Sequence, residues 1–359
     1  MKKSLIALMV ATLPAAAFAD VTVFGTIKGG VEYVDSSKGT KQTNIDDLGS
    51  RIGFKGNEDL GNGLKAIWQV ETGFGIDGQS RTGDSSGTFA SRESFVGLSS
   101  NFGTFRLGHL STFGESDMAQ VNPWESSSNA LQLNAFTRDD GYVKNAVRFD
   151  TPEFAGFKAA FLYGTKEDKR GYDATVAKQN NDRETYNLGL SYENSGFFGK
   201  YQFIHESPVT VGLNAGSKAN NKHRIEAGYN ANNIFVALGY RNDKGDATVT
   251  PQYFLADAAV GTDGSKYESQ EYALTAGYQI GAFMPKFTYA QSKDAKVDGV
   301  KLDNSGYKQY LLGVDYSLSK RTVIGAQYGE IKADSAYLKS NGQSTDKIKA
   351  FGLNVVHKF

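Results

Sequence analysis

Charged side chains recur at alternate positions along many short segments of the chain, such as Lys28 with Glu32 and Arg51 with Lys55. Alternate residues of a β-strand point to the same side, so each of these pairs shares one face of a strand. A wet surface that carries both signs of charge attracts and orients ions and polar solutes. The pattern therefore indicates electrostatic handling of hydrophilic solutes.

Residue types that suit catalysis or metal binding are few. The chain has no cysteine, which excludes disulfides and thiolate metal sites, and its 4 histidines do not form an H-x-x-x-H motif. His109 and Ser111 could belong to the nucleophilic site of a hydrolase, but no acid or oxyanion donor can be assigned to them. We expect neither an enzyme nor a cofactor or metal.

The composition describes a neutral, polar chain that is rich in glycine and aromatic residues. Basic and acidic residues number 39 each, the mean hydropathy is −0.41, and there are 41 Gly, 19 Tyr and 23 Phe among 359 residues. Interspersed charges of both signs argue against nucleic acid as a partner. After residue 19 no run of about 20 apolar residues could form a transmembrane helix.

Residues 1–19 have the pattern of a cleaved signal peptide. Lys2 and Lys3 form a basic start, an apolar stretch follows, and Ala17-Phe18-Ala19 is a small-x-small cleavage site. The alternative is an N-terminal membrane anchor, for which the apolar stretch is too short. No change of composition divides the remainder, so we expect one domain over residues 20–359, exported to a bacterial envelope.

Strands are the elements that must position the charges. Apolar residues alternate with polar ones in about sixteen segments, as in Tyr310, Leu312, Val314 and Tyr316. Short turns alternate with long polar loops between these segments. This rhythm predicts antiparallel hairpins that form one plain rim and one elaborated rim.

Aromatic residues mark the plain rim. Tyr192, Tyr229, Tyr278 and Tyr316 each precede a short turn on the apolar side of a segment, and Phe359 ends the chain. Such a row is typical of an interfacial aromatic girdle. The alternative, a soluble β-sandwich with an aromatic core, would not need aromatics at one rim. The pattern favours a closed barrel that is apolar outside and polar inside.

Several stretches together resemble a known family, the trimeric general porins of beta-proteobacteria, and in particular the neisserial type. The start, DVTVFGTIK (20–28), is similar to the family's first strand, and LGSRIGFKGNEDLGNGLKAIWQVE (48–71) is the most specific match. The remaining motifs, in chain order, are RESFVGL (92–98), NFGTFRLG (101–108), NPW (122–124), VRFDTPEFAGF (147–157), YSLSKRT (316–322) and VHKF (356–359).

The resemblance implies an all-β fold, a 16-stranded antiparallel transmembrane β-barrel in the bacterial outer membrane, with an inward-folded third loop. It also implies a homotrimer that lets ions and small hydrophilic solutes diffuse through a water-filled channel. Residues 111–145 correspond to the third loop. The implied constriction consists of three loop acids and seven strand bases, namely Glu115, Asp117 and Glu125, with Lys28, Arg51, Lys55, Lys65, Arg92, Arg106 and Arg148.

Seven bases facing three acids predict a weak preference for anions. One departure weakens this expectation, because His109 stands where similar porins often have a second Arg, and histidine is mostly neutral at neutral pH. Phe359, preceded by apolar residues at alternate positions, resembles the signal read by the outer-membrane assembly machinery. An adhesin with a closed lumen and a sugar-specific channel remain as alternatives.

Overall fold

The computed structural model describes residues 21–37, 41–79, 89–166, 183–208, 217–246, 249–250, 264–334, 338–340 and 343–359. The predicted signal peptide, residues 1–19, lies outside the described residues. In the described part of the chain, no helix is long and apolar enough to cross a membrane.

Strands dominate the described residues, and one short helix lies between the sixth and seventh of them. The elements in chain order are β1 (Thr22–Ser36), β2 (Lys41–Asp47), β3 (Arg51–Gly61), β4 (Leu64–Gly73), β5 (Ser94–Ser100), β6 (Gly103–Ser111), α1 (Phe113–Asp117), β7 (Tyr142–Asp150), β8 (Phe157–Gly164), β9 (Thr185–Asn194), β10 (Phe197–Glu206), β11 (Asn220–Ala231), β12 (Ile234–Gly245), β13 (Tyr267–Tyr278), β14 (Phe283–Ser292), β15 (Lys296–Val297), β16 (Val300–Lys301), β17 (Tyr307–Ser317), β18 (Thr322–Ala333), β19 (Leu338–Ser340), β20 (Gln343–Thr345) and β21 (Lys347–Lys358).

The sheet closes on itself. Each long strand pairs antiparallel with the next, and β1 pairs with β21 from Thr26 opposite Lys358 to Ser36 opposite Ile348. β2 and β3 both pair with β1 and are two halves of one spanning strand, while β15–β16 and β19–β20 are small hairpins within connections. The predicted 16-stranded antiparallel barrel is confirmed in the described residues.

The short turns explain the tight rim. β11 and β12 are joined by Asn232 and Asn233, with φ of 52° and 65°, and β9 and β10 by Ser195 and Gly196, with φ of 52° and 87°. Two successive positive φ angles define the turn whose twist matches that of the flanking strands. Asparagine and glycine tolerate these angles best, which is why they occupy the turns.

The two faces of the strands differ as the alternation predicts. On β17, Tyr310 and Leu312 are 48% and 61% exposed, whereas the alternating positions Gln309 and Leu311 are each 1% exposed. The exposed apolar face continues on the neighbouring strands, because residues paired across strands lie on the same side. A closed barrel with an apolar exterior is the form in which strands can lie in lipid.

The segment 112–141, which connects β6 to β7, contacts strands from both sides of the barrel. Its Phe113 backbone N–H donates to Asn187 of β9 (2.7 Å), and its Glu125 carbonyl accepts from Gln327 of β18 (2.7 Å). Both strand residues occupy positions that alternate with the exposed apolar ones. The segment therefore lies against the face of the sheet opposite to the apolar exterior.

Candidate functional site

The seven predicted bases share this non-exterior face of the barrel. In the strand register Arg51 lies opposite Thr26, and Arg106 lies opposite Arg148. Arg92 precedes β5 and reaches the same face through Glu71 on β4. The other predicted bases, at equivalent positions of β1, β3 and β4, are Lys28, Lys55 and Lys65.

Each of the three predicted loop acids contacts one of the predicted bases. The three ion pairs, with their N···O distances, are Lys28–Glu125 (2.6 Å), Arg148–Asp117 (2.9 Å) and Arg92–Glu115 (3.4 Å). These contacts join residues 23 to 97 positions apart in the chain. The structure thus brings the predicted acids and bases together.

Three acids outside the loop belong to the same site and were missed as candidates. Glu71 lies 2.5 Å from the Arg92 Nε, while Arg106 contacts Glu93 at 2.8 Å and Asp150 at 2.6 Å. The count of seven bases against three acids was therefore incomplete. The alternation already placed Glu71 and Asp150 on the polar face, so counting both signs on each strand would have found them.

Positive charge is only loosely compensated along β3 and β4, where Asp59 lies opposite Lys65 in the strand register. The Arg51 Nε is 3.8 Å from Glu71, a carboxylate that a closer arginine already contacts, and the Arg51 side chain is 31% exposed. The Lys55 Nζ lies 5.1 Å from the ring centroid of Phe24, and Lys65 is exposed. This part of the wall can attract anions more strongly than the closely paired arginines can.

Asp117 at the end of α1 contacts three basic side chains. Its carboxylate accepts from Lys158 (3.0 Å) and Arg148 (2.9 Å), and its carbonyl accepts from the Lys200 ammonium (2.6 Å). Burial acts to raise its pKa, but the hydrogen bond from Ser116 and the contacts with Lys158 and Arg148 prevail and lower the pKa. Asp117 is therefore ionised at neutral pH.

An apolar cluster holds the middle of the segment against the opposite wall. Its buried members from the segment and from β12, β13, β14 and β17 include Val121, Trp124, Leu133, Phe136, Ala237, Ala273, Ala290 and Leu311. Glycine allows the close approach, because a Cβ at Gly313 would lie 2.8 Å from the Trp124 ring and one at Gly239 would lie 2.6 Å from the Phe136 ring. The Trp124 Nε1–H donates to Thr288 Oγ1 at 2.8 Å.

Three consecutive charged residues attach the end of the segment to β11, β12 and β13. Their ion pairs are Arg138–Glu271 (2.5 Å), Arg138–Asp243 (2.6 Å), Asp139–Lys222 (2.8 Å) and Asp140–Arg224 (2.5 Å). Burial raises the pKa of Asp140 to about 7, although the Arg224 charge opposes this shift. Asp140 therefore changes charge near neutral pH.

The predicted aromatic row lies at the short-turn rim, where it contacts further aromatic rings. Tyr192 packs on Phe157 with ring centroids 4.5 Å apart, Tyr229 on Phe197 at 4.8 Å, and Tyr316 on Phe283 at 4.6 Å, while Tyr278 is exposed. A second row toward the long loops was not predicted as a girdle. It includes the tilted ring pairs Tyr163–Tyr186, Tyr240–Tyr272 and Tyr289–Tyr310.

The second row was readable from the sequence. Tyr272 precedes Tyr278 by six positions and Tyr310 precedes Tyr316 by six, so both members of each pair lie on the same face, about 20 Å apart along a strand. Two aromatic rows that bound an apolar band are typical of transmembrane barrels.

Phe359, directly after the last strand β21, pairs with the first strand β1 where the barrel closes. Its backbone N–H donates to the Gly25 carbonyl and its carbonyl accepts from the Gly25 N–H, both at 3.1 Å. A Cβ at Gly25 would lie 2.6 Å from the Phe359 ring, so glycine provides the space in which the ring lies.

The two residues of the possible nucleophilic pair contact other groups. The Ser111 hydroxyl donates to Glu93 (3.0 Å), and the Ser111 carbonyl accepts from Arg148 (2.9 Å). The His109 ring packs edge-on to Tyr142, with centroids 5.4 Å apart. Both residues thus take part in the packing and ion pairing around the segment.

Comparison with known families agrees with this geometry. The profile of the Gram-negative porin family matches residues 4–336. The chain belongs to the Gram-negative porin family. The resemblance inferred from the motifs is confirmed, and so is the outer-membrane location. As a porin, the protein is a channel protein.

Relatives and solved structures extend the match over the whole porin. The chain is 39% identical to major outer membrane protein P.IB of Neisseria sicca and 36% identical to that of Neisseria gonorrhoeae, and each match covers 100% of both chains. Its fold is similar to an anion-selective porin from Comamonas acidovorans, with a TM-score of 0.71, 22% identity and coverage of 95% and 100% of the two chains. The fold is also similar to OmpT of Vibrio cholerae in a trimer form, with a TM-score of 0.65, 16% identity and coverage of 95% of this chain and 99% of that one.

Proposed function

We propose that the segment 112–141 folds into the barrel and narrows a water-filled channel, through which ions and small hydrophilic solutes diffuse. The observation that carries this proposal is the attachment of one segment to two sides of the wall. Its acids meet Lys28, Arg92 and Arg148, while Trp124 and Arg138 hold it to β12, β13 and β14. The remaining passage then runs beside β1 and β3–β7.

The charges along this passage would act on solutes through a transverse field. The loop carboxylates are ion-paired to strand guanidinium and ammonium groups at 2.6 to 3.4 Å, so the field across the passage comes from the wall bases that these pairs leave uncompensated. Fixed charges orient polar solutes and disfavour apolar ones. The weakly compensated Arg51, Lys55 and Lys65 support a weak preference for anions.

The functional unit in this proposal is a homotrimer in outer-membrane lipid. The trimer form of OmpT, which shares the fold, supports this assembly. We also propose that residues 1–19 direct export and are removed, and that the assembly machinery reads Phe359 on the last strand.

The proposal is tested by solute flux and ion selectivity of the purified protein. In liposomes, neutral sugars of increasing size should enter at rates that fall steeply with size, because the segment sets one narrow section. In a KCl gradient the zero-current potential should indicate a small excess of chloride over potassium permeability. Exclusion of all sugars would contradict the proposed diffusion channel. A clear preference for potassium would contradict the proposed preference for anions.

A further inference from the structure

Tyr142 lies between one acid of the segment 112–141 and one base of the barrel wall. It is the first residue of β7 and is paired with Ser111, the last residue of β6, so it stands where the segment returns to the sheet. Its hydroxyl accepts a hydrogen bond from the Arg92 Nη2 at 2.5 Å and donates one to the Glu115 Oε1 at 2.8 Å. The hydroxyl therefore connects the wall base to the segment acid.

The direct contact between this acid and this base is longer than the two contacts made by the hydroxyl. The Arg92 Nη2 lies 3.4 Å from the Glu115 Oε1, whereas the other two predicted segment acids lie 2.6 and 2.9 Å from their bases. Charge-assisted hydrogen bonds between a guanidinium and a carboxylate are about 2.7–2.9 Å long. A neutral hydroxyl thus occupies the place from which the guanidinium would neutralise Glu115 more fully.

Further contacts hold Tyr142 and Arg92 in this arrangement. The Arg92 Nε donates to Glu71 at 2.5 Å, and the guanidinium lies over the Tyr142 ring, with Cζ 5.1 Å from the ring centroid. The His109 ring packs edge-on against the same tyrosine. Glu115 belongs to the short helix α1 and its side chain is 29% exposed, so its carboxylate remains accessible to water and ions.

We propose that Tyr142 is a positioning residue for ion selectivity, because its hydroxyl keeps the Glu115 carboxylate out of a tight ion pair with Arg92. Part of the negative charge of Glu115 then stays available to cations in the passage. This charge offsets the wall bases and keeps the preference for anions weak. The inference rests on the proposed diffusion channel, and it adds an uncharged residue to those that determine the selectivity of that channel.

Removing the hydroxyl leaves the guanidinium and the carboxylate as each other's nearest partners. In Tyr142→Phe, Arg92 loses a hydrogen-bond acceptor in a side chain that is only 11% exposed, and Glu115 loses a donor. A buried polar group without a partner is unfavourable, so the two groups should close to a direct charge-assisted hydrogen bond. Glu115 is then neutralised more fully, and the channel should admit anions more readily.

Zero-current potentials of the purified protein in a KCl gradient test this inference. Tyr142→Phe keeps the aromatic ring and should raise the ratio of chloride to potassium permeability about twofold, because one carboxylate acts on a passing ion through water. The matched control is Tyr307→Phe. The Tyr307 hydroxyl also donates to a carboxylate, that of Glu271 at 3.3 Å, but its side chain is only 1% exposed. The control should leave the ratio unchanged, and equal ratios in the parent protein and Tyr142→Phe would overturn the proposal.

A double variant separates an effect through Glu115 from a general structural effect. In the Glu115→Gln background, Tyr142→Phe should cause no further change in the permeability ratio, because its effect passes through the carboxylate. A change of the same size in both backgrounds would refute this route. The size cut-off for neutral sugars in liposomes should be the same in Tyr142→Phe as in the parent protein. A wider cut-off would mean that the hydroxyl holds the segment in place, and it would also overturn the proposal.

A second variant keeps the test decisive if Tyr142→Phe does not fold. Glu115→Asp retains the charge but draws the carboxylate away from Tyr142 and Arg92, so the ratio of chloride to potassium permeability should fall below that of the parent protein. An unchanged or higher ratio would contradict the assigned role. A parent protein that does not conduct ions would refute the proposed channel itself, whereas a conducting, weakly anion-selective parent with unaffected variants would refute only the role of Tyr142.

Discussion

Replacing Trp124 by alanine should release the segment from the wall and make the channel wider and less steady. Trp124 is 4% exposed, packs on Gly313 and donates from Nε1 to Thr288. Truncation of a buried tryptophan costs about 3–5 kcal/mol. If that cost falls on attachment of the segment, the population with a displaced segment rises by a factor of about 10²–10⁴.

Planar-bilayer recording measures this change directly. Trp124→Ala should give a larger mean conductance and frequent transitions between levels, and larger sugars should enter liposomes that contain it. The control is Trp68→Ala, the other tryptophan, whose partner in the register, Val96, is exposed on the exterior. Unchanged conductance and sugar cut-off in folded Trp124→Ala, or equal changes in the control, would refute the argument that this cluster sets the passage.

The other predictions concern charge and closure. Burial raises the pKa of Asp140 to about 7, so acidification from pH 8 to pH 6 neutralises this carboxylate. The zero-current potential should therefore shift toward greater anion permeability in the parent protein and not in Asp140→Asn. A shift of equal size in the variant would contradict this prediction. Arg51→Gln should reduce the preference for anions, whereas the control Arg321→Gln, in an exposed turn, should not. Equal zero-current potentials of the two variants would exclude a role of Arg51 in ion selectivity. Deletion of Phe359 and Gly25→Leu should both slow refolding on heat-shift gels, and Gly25→Leu should be the more severe change because its side chain also meets the Arg51 carbonyl. Normal refolding of either variant would refute the role of this contact.

The barrel itself was predictable because a strand has a side-chain period of two. One misplaced residue would move the whole apolar set to the other face, so the alternation specifies both register and face. Tyr310 and Leu312, which the alternation assigns to the apolar side, are exposed, and Leu311 between them is buried. The turns were equally local, since Asn232 and Asn233 carry their own backbone preference.

The contacts of the segment were not predictable from local pattern. The pair Lys28–Glu125 joins residues 97 positions apart, and the cluster around Trp124 depends on glycine and alanine at inward positions of distant strands. Small inward residues on consecutive strands, such as Gly239 and Ala273, are a signal that something packs closely against that wall. The alternation shows which face they occupy and does not identify the occupant.

Single-channel recording of the purified protein in planar bilayers tests the central claim most directly. A water-filled channel should produce discrete, ohmic conductance steps, and these should appear in groups of three if the insertion unit is a trimer. Their size should increase when Trp124 is replaced by alanine. A protein that inserts into the bilayer without any conductance would contradict the account, because a closed lumen cannot carry the proposed diffusion.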